Sequence, residues 1–368
     1  MQVVICGGGV IGACTAYFLG RRGVDVTVVE RAEVAAAASG KAGGFLALDW
    51  CAGTLLDALA RRSFALHERL AAELNGDWGH RPMSAYAGTV TPARATRRPL
   101  DSKFEWLADA VTITSKIGML ATTAIVHPRK FTRGMMRAAE MHGAKVRSGP
   151  VTGLVRSTDV SAVRGVEIDG EVLDADAVVI AMGPWSILAA QWLRLPVVYG
   201  HKSPSLVYDT GSEVPAQALF LDYRDEDGEV PGVEVFPRAD GSTHVAGISE
   251  DAALPFDPNE VDPDPHAIMR LQAICERISP KLRADRIVAR QACFRPVTQD
   301  GLPLIGKVPR SEGAYVATGH NVWGVLNAPA TGEAVAELIA DGAAHSTNLS
   351  AFDPARLRPL DPAALREG

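Results

Sequence analysis

Apolar residues run unbroken through Val3-Val4-Ile5-Cys6, the mark of a strand buried on both faces. Three glycines follow. A helical period then covers 10–19 and stops at Gly23, since glycine adopts the left-handed conformation at little cost. The stretch 24–29 is strand-like again and ends at Glu30. Strand, helix and strand within about 30 residues make a βαβ unit with parallel strands. Leu55, Leu59, Phe64, Leu66 and Leu70 lie opposite Arg61, Arg62, Glu68 and Arg69, which predicts an amphipathic helix over 54–75. Pro128 opens a further helix that reaches Met141. Alternation over 145–155 and 163–168 predicts antiparallel strands, and 178–182 reads as a fully buried strand. Two strands, 232–237 and 243–248, flank an Asp240-Gly241 turn. A helix is expected over 264–278 and a short strand over 316–318. The last helix is expected over 331–341, with Ala334, Val335, Leu338 and Ile339 on one face and Gly342 as its stop. The proline-rich tail after Ser346 is expected to lie loosely on the surface.

Both ends of the chain therefore read as parallel α/β, and its middle as antiparallel sheet. That order predicts a discontinuous first domain (1–50, 125–195 and 290–345), a second domain (51–124 and 196–289) and a tail (346–368). No internal repeat is present.

Composition narrows the classes. The 368 residues are 47% hydrophobic and 22% charged, ordinary for a globular enzyme. The formal charge of −6 leaves no basic surplus for nucleic acid. No apolar run is long enough for a membrane span. The first twenty residues are apolar but lack a basic leader and are interrupted by glycines, unlike a signal peptide. Cys6, Cys14, Cys51, Cys275 and Cys293 are scattered and odd in number, and no CxxC occurs. Neither a disulfide framework nor a metal site is indicated, and a cytoplasmic setting is expected.

Gly7-Gly8-Gly9-Val10-Ile11-Gly12 fits GxGxxG at Gly7, Gly9 and Gly12. It follows a strand, opens a helix and meets an acid, Glu30, at the spacing of a dinucleotide site. Gly7 suits the tight turn, Gly9 lets backbone approach a pyrophosphate, and Gly12 lets helix and strand pack closely. The helix N-terminus faces the anion. Glu30 suits a ribose and disfavours a 2′-phosphate. The fingerprint alone does not separate FAD from NAD.

Further blocks do: Ser39-Gly40-Lys41-Ala42-Gly43-Gly44, Ala181-Met182-Gly183-Pro184-Trp185-Ser186, and Asp300-Gly301-Leu302-Pro303-Leu304-Ile305-Gly306 before Gly319-His320-Asn321-Val322-Trp323-Gly324. With these in order, the chain resembles the FAD-dependent D-amino-acid oxidase superfamily, in the branch of glycine oxidase and sarcosine oxidase. The blocks 39–50 and 319–332 look like uncharacterised FAD oxidoreductases of plants and fungi.

The resemblance implies a Rossmann-like FAD domain of glutathione-reductase-like topology and a mixed, mostly antiparallel α+β substrate domain. It implies extended FAD along Gly7, Gly9, Val10, Ile11 and Gly12, then Glu30 and Arg31. Ser39, Gly40, Lys41, Gly43 and Gly44 would follow, with Val151, Ala181, Gly183 and Trp185. Gly319, His320, Asn321 and Gly324 would line the flavin, with the helix from Thr331 aimed at its pyrimidine edge. His320 is open to a second reading as a loop-satisfying histidine. Arg295 matches the arginine that grips the substrate carboxylate, or makes an ordinary salt bridge. The second arginine of glycine oxidase is replaced here by Asn321, Val322 or Trp323, so Trp323 is expected to shape a bulkier pocket. Cys293 falls where sarcosine oxidase attaches its flavin, and is either a thioether link or a buried thiol. Lys41 either assists O2 or binds pyrophosphate. Trp50, Tyr199, His201 and Tyr223 are candidate cavity walls. The acidic run 222–229 is expected to be a solvated loop.

The activity implied is hydride removal from the C–N bond of an amino acid or secondary amine, with O2 as acceptor. The alternatives are a dehydrogenase with a protein or quinone acceptor or a 2-hydroxy acid donor, and a non-catalytic FAD protein.

Overall fold

The computed structural model describes residues 1–91, 102–159, 161–223 and 232–365. The apolar N-terminal strand, Gln2–Cys6, lies inside a six-stranded sheet. The strand order is Leu304–Lys307, Ala314–Thr318, Ala177–Ile180, Gln2–Cys6, Asp25–Glu30, Lys145–Ser148. All neighbours are parallel except the first pair. Lys145–Ser148 was expected to be antiparallel. It instead extends the parallel sheet beside Asp25–Glu30, and the antiparallel meander begins at Val151. The meander Val151–Arg156, Val163–Ile168, Glu171–Asp174 covers one face of the sheet, where Val163, Val166 and Ile168 meet Val4, Cys6, Val178 and Ile180. Helices Val10–Gly20, Pro128–Met141 and Gly324–Ala340 cover the other.

The second sheet has seven strands, in the order Ile287–Thr298, Val198–Asp209, Ser242–Gly247, Gly232–Pro237, Gln217–Tyr223, Ser84–Val90, Val111–Gly118. Only Gln217–Tyr223 and Ser84–Val90 run parallel. Side chains alternate across these strands. One face packs Leu206, Tyr208, Val233, Val235 and Val245 on helix Pro265–Ile278. The opposite face is turned to the first sheet.

Two boundaries differ from the expected ones. Helix Asp57–Glu73 buries Leu59, Ala60, Leu66 and Leu70 in the core of the first unit rather than the second. Strand Ile287–Thr298 belongs wholly to the seven-stranded sheet. The tail is also docked rather than loose. Phe352 is buried, Arg356 pairs with Asp300 at 2.7 Å, and Leu360 N donates to Leu195 O at 2.8 Å. Most of the run 222–229 lies outside the described residues.

The last helix begins at Gly324, not near Thr331, and carries Pro329 inside it. Proline has no N–H, so the carbonyl four residues earlier, Val325 O, loses its partner. His67 supplies the missing donor: its Nε2 donates to Val325 O at 2.9 Å and approaches Leu326 O at 3.2 Å. Ser63 Oγ accepts from Ala330 N at 3.1 Å. Two side chains of helix Asp57–Glu73 thus repair the proline break and keep the helix intact to its start.

Candidate active site

The turn after Gln2–Cys6 is dictated by close backbone approach. Gly7 has φ +114°, and a Cβ there would lie 2.5 Å from Ala181 O. The helix that follows has Gly9 as its N-cap with no side-chain cap. Val10 N donates to Ser39 Oγ at 2.8 Å. Glu30 is fixed by two backbone amides: Gly8 N donates to Oε2 at 2.6 Å and Ala32 N to Oε1 at 2.9 Å. A carboxylate has further lone pairs, so Glu30 can still accept from a ribose.

These residues line one end of a cavity of about 450 Å³ that continues between the two sheets. Gly7, Gly9, Val10, Ile11, Glu30 and Arg31 line the first part. Ser39, Lys41, Gly43, Ala181, Gly183 and Trp185 line the middle, and Val151, two residues past the Gly149 amide that donates to Glu30 O, belongs with the first part. Cys293, Arg295, His320, Asn321, Val322 and Gly324 line the far part. A helix start whose glycine N-cap brings no side chain, an oriented acid and a long continuous cleft together fit an extended dinucleotide such as FAD.

Four predicted glycines act behind the wall. Gly12 lies against Gly7, Gly40 against Ala35, and Gly44 against Val126, with a Cβ at any of the three falling 2.0 Å from a backbone oxygen. Gly319 turns the chain at φ +79°. Trp323 is a correction. It packs on the first core, and Val322, 54% exposed, faces the cavity instead. Trp50, Tyr199, His201 and Tyr223 are likewise absent from the wall. Trp50 packs on Phe45 and Phe220, and Tyr199 is exposed.

The loop bearing Lys41 is tied to the seven-stranded sheet. His244 Nε2 and Gln291 Nε2 donate to Lys41 O at 3.1 and 3.2 Å, and Arg238 Nη2 to Ala42 O at 2.7 Å. Burial lowers the Lys41 ammonium from its usual range, while Cys293 and Asp262 oppose the shift. Burial pushes the Cys293 thiol up to about 11, against the pull of Lys41 and Arg295. His320 is buried, meets Thr331 Oγ1 at 3.0 Å, and is driven down to about 3, so it is neutral at pH 7. Its partner is thus a side-chain hydroxyl, not loop backbone.

Arg295 extends from the edge strand into the cavity. Its Nη1 donates to Asn321 Oδ1 and its Nη2 to Ser249 Oγ, both at 3.0 Å. Asn321 holds a left-handed φ of +49°, a conformation that asparagine tolerates. Sequence reading missed His244 and Glu234, which the alternation of their strands carries to the cavity side, and Ser249, which lies just past strand Ser242–Gly247.

Replacing Glu30 with alanine is expected to weaken FAD retention about tenfold or more, from the loss of charge-assisted hydrogen bonds. Flavin content after dialysis measures this. Unchanged content would contradict the ribose role.

A family model described as DAO, FAD dependent oxidoreductase, matches residues 2–338. A glycine oxidase of Bacillus licheniformis is 30% identical over 379 residues, covering 96% of this chain and 97% of that protein. An oxidoreductase of Schizosaccharomyces pombe is 28% identical over 379 residues, covering 96% of this chain and 97% of that one. The crystal structure of glycine oxidase from Geobacillus kaustophilus superposes with a TM-score of 0.80 at 24% identity, covering 97% of this chain and 99% of the other. Among the described residues no helix is long and apolar enough to cross a membrane.

Proposed function

Because the chain belongs to the DAO family of FAD-dependent oxidoreductases, we propose that it oxidises the C–N bond of a carboxylate-bearing amine, an amino acid or an N-substituted one. The observation that carries this reading is Arg295, a guanidinium aimed into the cavity and braced by Asn321 and Ser249. Its planar fork matches two carboxylate oxygens.

Held by the glycine turn, Glu30 and the Lys41 loop, FAD would supply the hydride acceptor for the carbon next to nitrogen and the route for its electrons to an acceptor, which we take to be O2. The protein's part is to bind, orient and dry the site. Arg295 holds the carboxylate and so fixes the carbon to be oxidised. Ile248 and Val322 contribute apolar wall, which disfavours the ammonium form and keeps the reacting amine neutral. Neutral His320 cannot donate charge to the substrate and serves as a fixed wall. The start of helix Gly324–Ala340 brings a positive dipole end to the same side of the cavity. The partly desolvated Lys41 ammonium adds a positive charge beside Cys293, which suits reduction of O2 to H2O2. The imine product is released to hydrolyse in water.

An oxygen electrode tests the acceptor. The expected result is amine-dependent oxygen uptake matched by H2O2. Oxidation of the amine by an artificial acceptor without oxygen uptake would point to a dehydrogenase.

A thiol kept protonated at neutral pH is a poor nucleophile. Cys293 is therefore expected to leave FAD freely bound. Acid precipitation should release all flavin into the supernatant from both the wild type and Cys293→Ser. Flavin retained in the wild-type pellet and lost from the variant would establish the thioether.

A further inference from the structure

One carboxylate in the cavity has no part in holding the cofactor or the carboxylate clamp. Glu234 lies on strand Gly232–Pro237, and its register partners are Ala246 on one side and Phe220 on the other. Gly232 and Phe236 occupy the same face two residues away along its strand. Phe220 is packed on Trp50 and Phe45. The acid therefore has apolar side chains, Ala246 and Phe220, as its direct cross-strand neighbours.

Among the described residues Glu234 has no hydrogen-bond or ion-pair partner. Burial raises its pKa, and the charge of Arg295 opposes the shift. Arg295 already spends donors on Asn321 and Ser249. An unpaired carboxylate among apolar groups is costly unless a cation arrives. The surrounding floor is made of small residues, Ser203, Ser205, Ala246 and Gly247, which leaves room for a ligand over it.

We propose that Glu234 is a specificity residue that receives a second, cationic nitrogen of the substrate, so that the cavity selects carboxylates bearing a distal ammonium or guanidinium. This inference rests on the carboxylate role of Arg295 given above. The two charges stand on one cavity surface, with Arg295 on the outermost strand and Glu234 three strands further in. A ligand with charges at both ends satisfies both residues at once. A simple amino acid would leave Glu234 unpaired.

The test is calorimetric titration of the FAD-loaded protein with ligands that carry no α-amine. The probes are 4-aminobutanoate, 5-aminopentanoate and 6-aminohexanoate, each against the matching unsubstituted fatty acid. The expected result is that at least one amino acid of this series binds about tenfold or more tightly than its uncharged counterpart, the worth of a charge-assisted hydrogen bond. Glu234→Gln keeps the shape and should erase that advantage while leaving the plain carboxylates unchanged. Equal binding of both series to the wild type overturns this inference and leaves the carboxylate reading standing. Retention of the advantage by Glu234→Gln also overturns it, since the cation would then be read elsewhere. Failure of both series to bind overturns the carboxylate reading, and this inference falls with it.

Discussion

Arg295→Ala should lower kcat/KM for carboxylate-bearing amines about 100-fold, a loss of about 3 kcal/mol, and leave simple amines almost unchanged. The size follows from the setting. The guanidinium sits in a cleft between two sheets and is held by two 3.0 Å hydrogen bonds, so it is oriented before a ligand arrives. Preorganised charge is worth more than charge on a mobile surface side chain. Its loss also leaves the substrate carboxylate unpaired. Most of the change should appear in KM, with a smaller fall in kcat from poorer alignment of the reacting carbon. Arg295→Lys should recover only part, because an ammonium keeps the charge and loses the fork. A matched loss on amines with and without a carboxylate would instead mean that Arg295 supports the fold of the site.

Gly12→Ala should cost about 3 kcal/mol or more in stability and strip the protein of FAD, since overpacking against rigid backbone is poorly relieved. The added Cβ would lie 2.0 Å from Gly7 O, a backbone atom of the very turn that lines the cavity. The helix cannot retreat. It is backed by helix Gly324–Ala340, where a Cβ on Gly332 would already fall 2.6 Å from the Cys14 backbone. Helix Pro128–Met141 packs beside it as well. Relief must therefore come from the Gly7 turn, which displaces the amides at the helix start. Thermal unfolding and the ratio of flavin to protein absorbance measure the two effects. A variant with wild-type melting temperature and full flavin content would show that the turn has slack absent from the structure.

Much of the fold was legible because its signals are local. Helix Pro128–Met141 has its proline at the first position, and the hairpin around Asp240-Gly241 has its turn residues in place. Helix Pro265–Ile278 is capped by Asp264, whose side chain accepts from His266 N. What was misread depended on distant partners. Pro329 reads as a break unless His67 and Ser63, some 260 positions earlier in the chain, are known to repair it. Lys145–Ser148 alternates like an antiparallel strand, and only its neighbour Asp25–Glu30 makes it parallel. The tail is docked by Arg356 on Asp300, a pairing no periodicity announces.

The site divides in the same way. The glycine turn, Glu30 and the Lys41 loop form contiguous motifs. Glu234 and His244 are ordinary alternating strand residues, and the sequence does not say which face of their sheet meets the cavity. Val322 and Trp323 are adjacent in a short 3₁₀ turn, Asn321–Trp323, where successive side chains point about 120° apart. One turns to the cavity and the other to the core, and the aromatic residue drew attention to the wrong one.

A carboxylate-bearing amine is expected to reduce the flavin of this protein. The visible spectrum of the FAD-loaded protein under anaerobic conditions tests it directly, before and after addition of amino acids, N-methyl amino acids and their decarboxylated counterparts. The expected result is bleaching of the flavin band by one or more carboxylate-bearing amines and none by the decarboxylated set. A flavin that dithionite bleaches but no amine in either set reduces would contradict it.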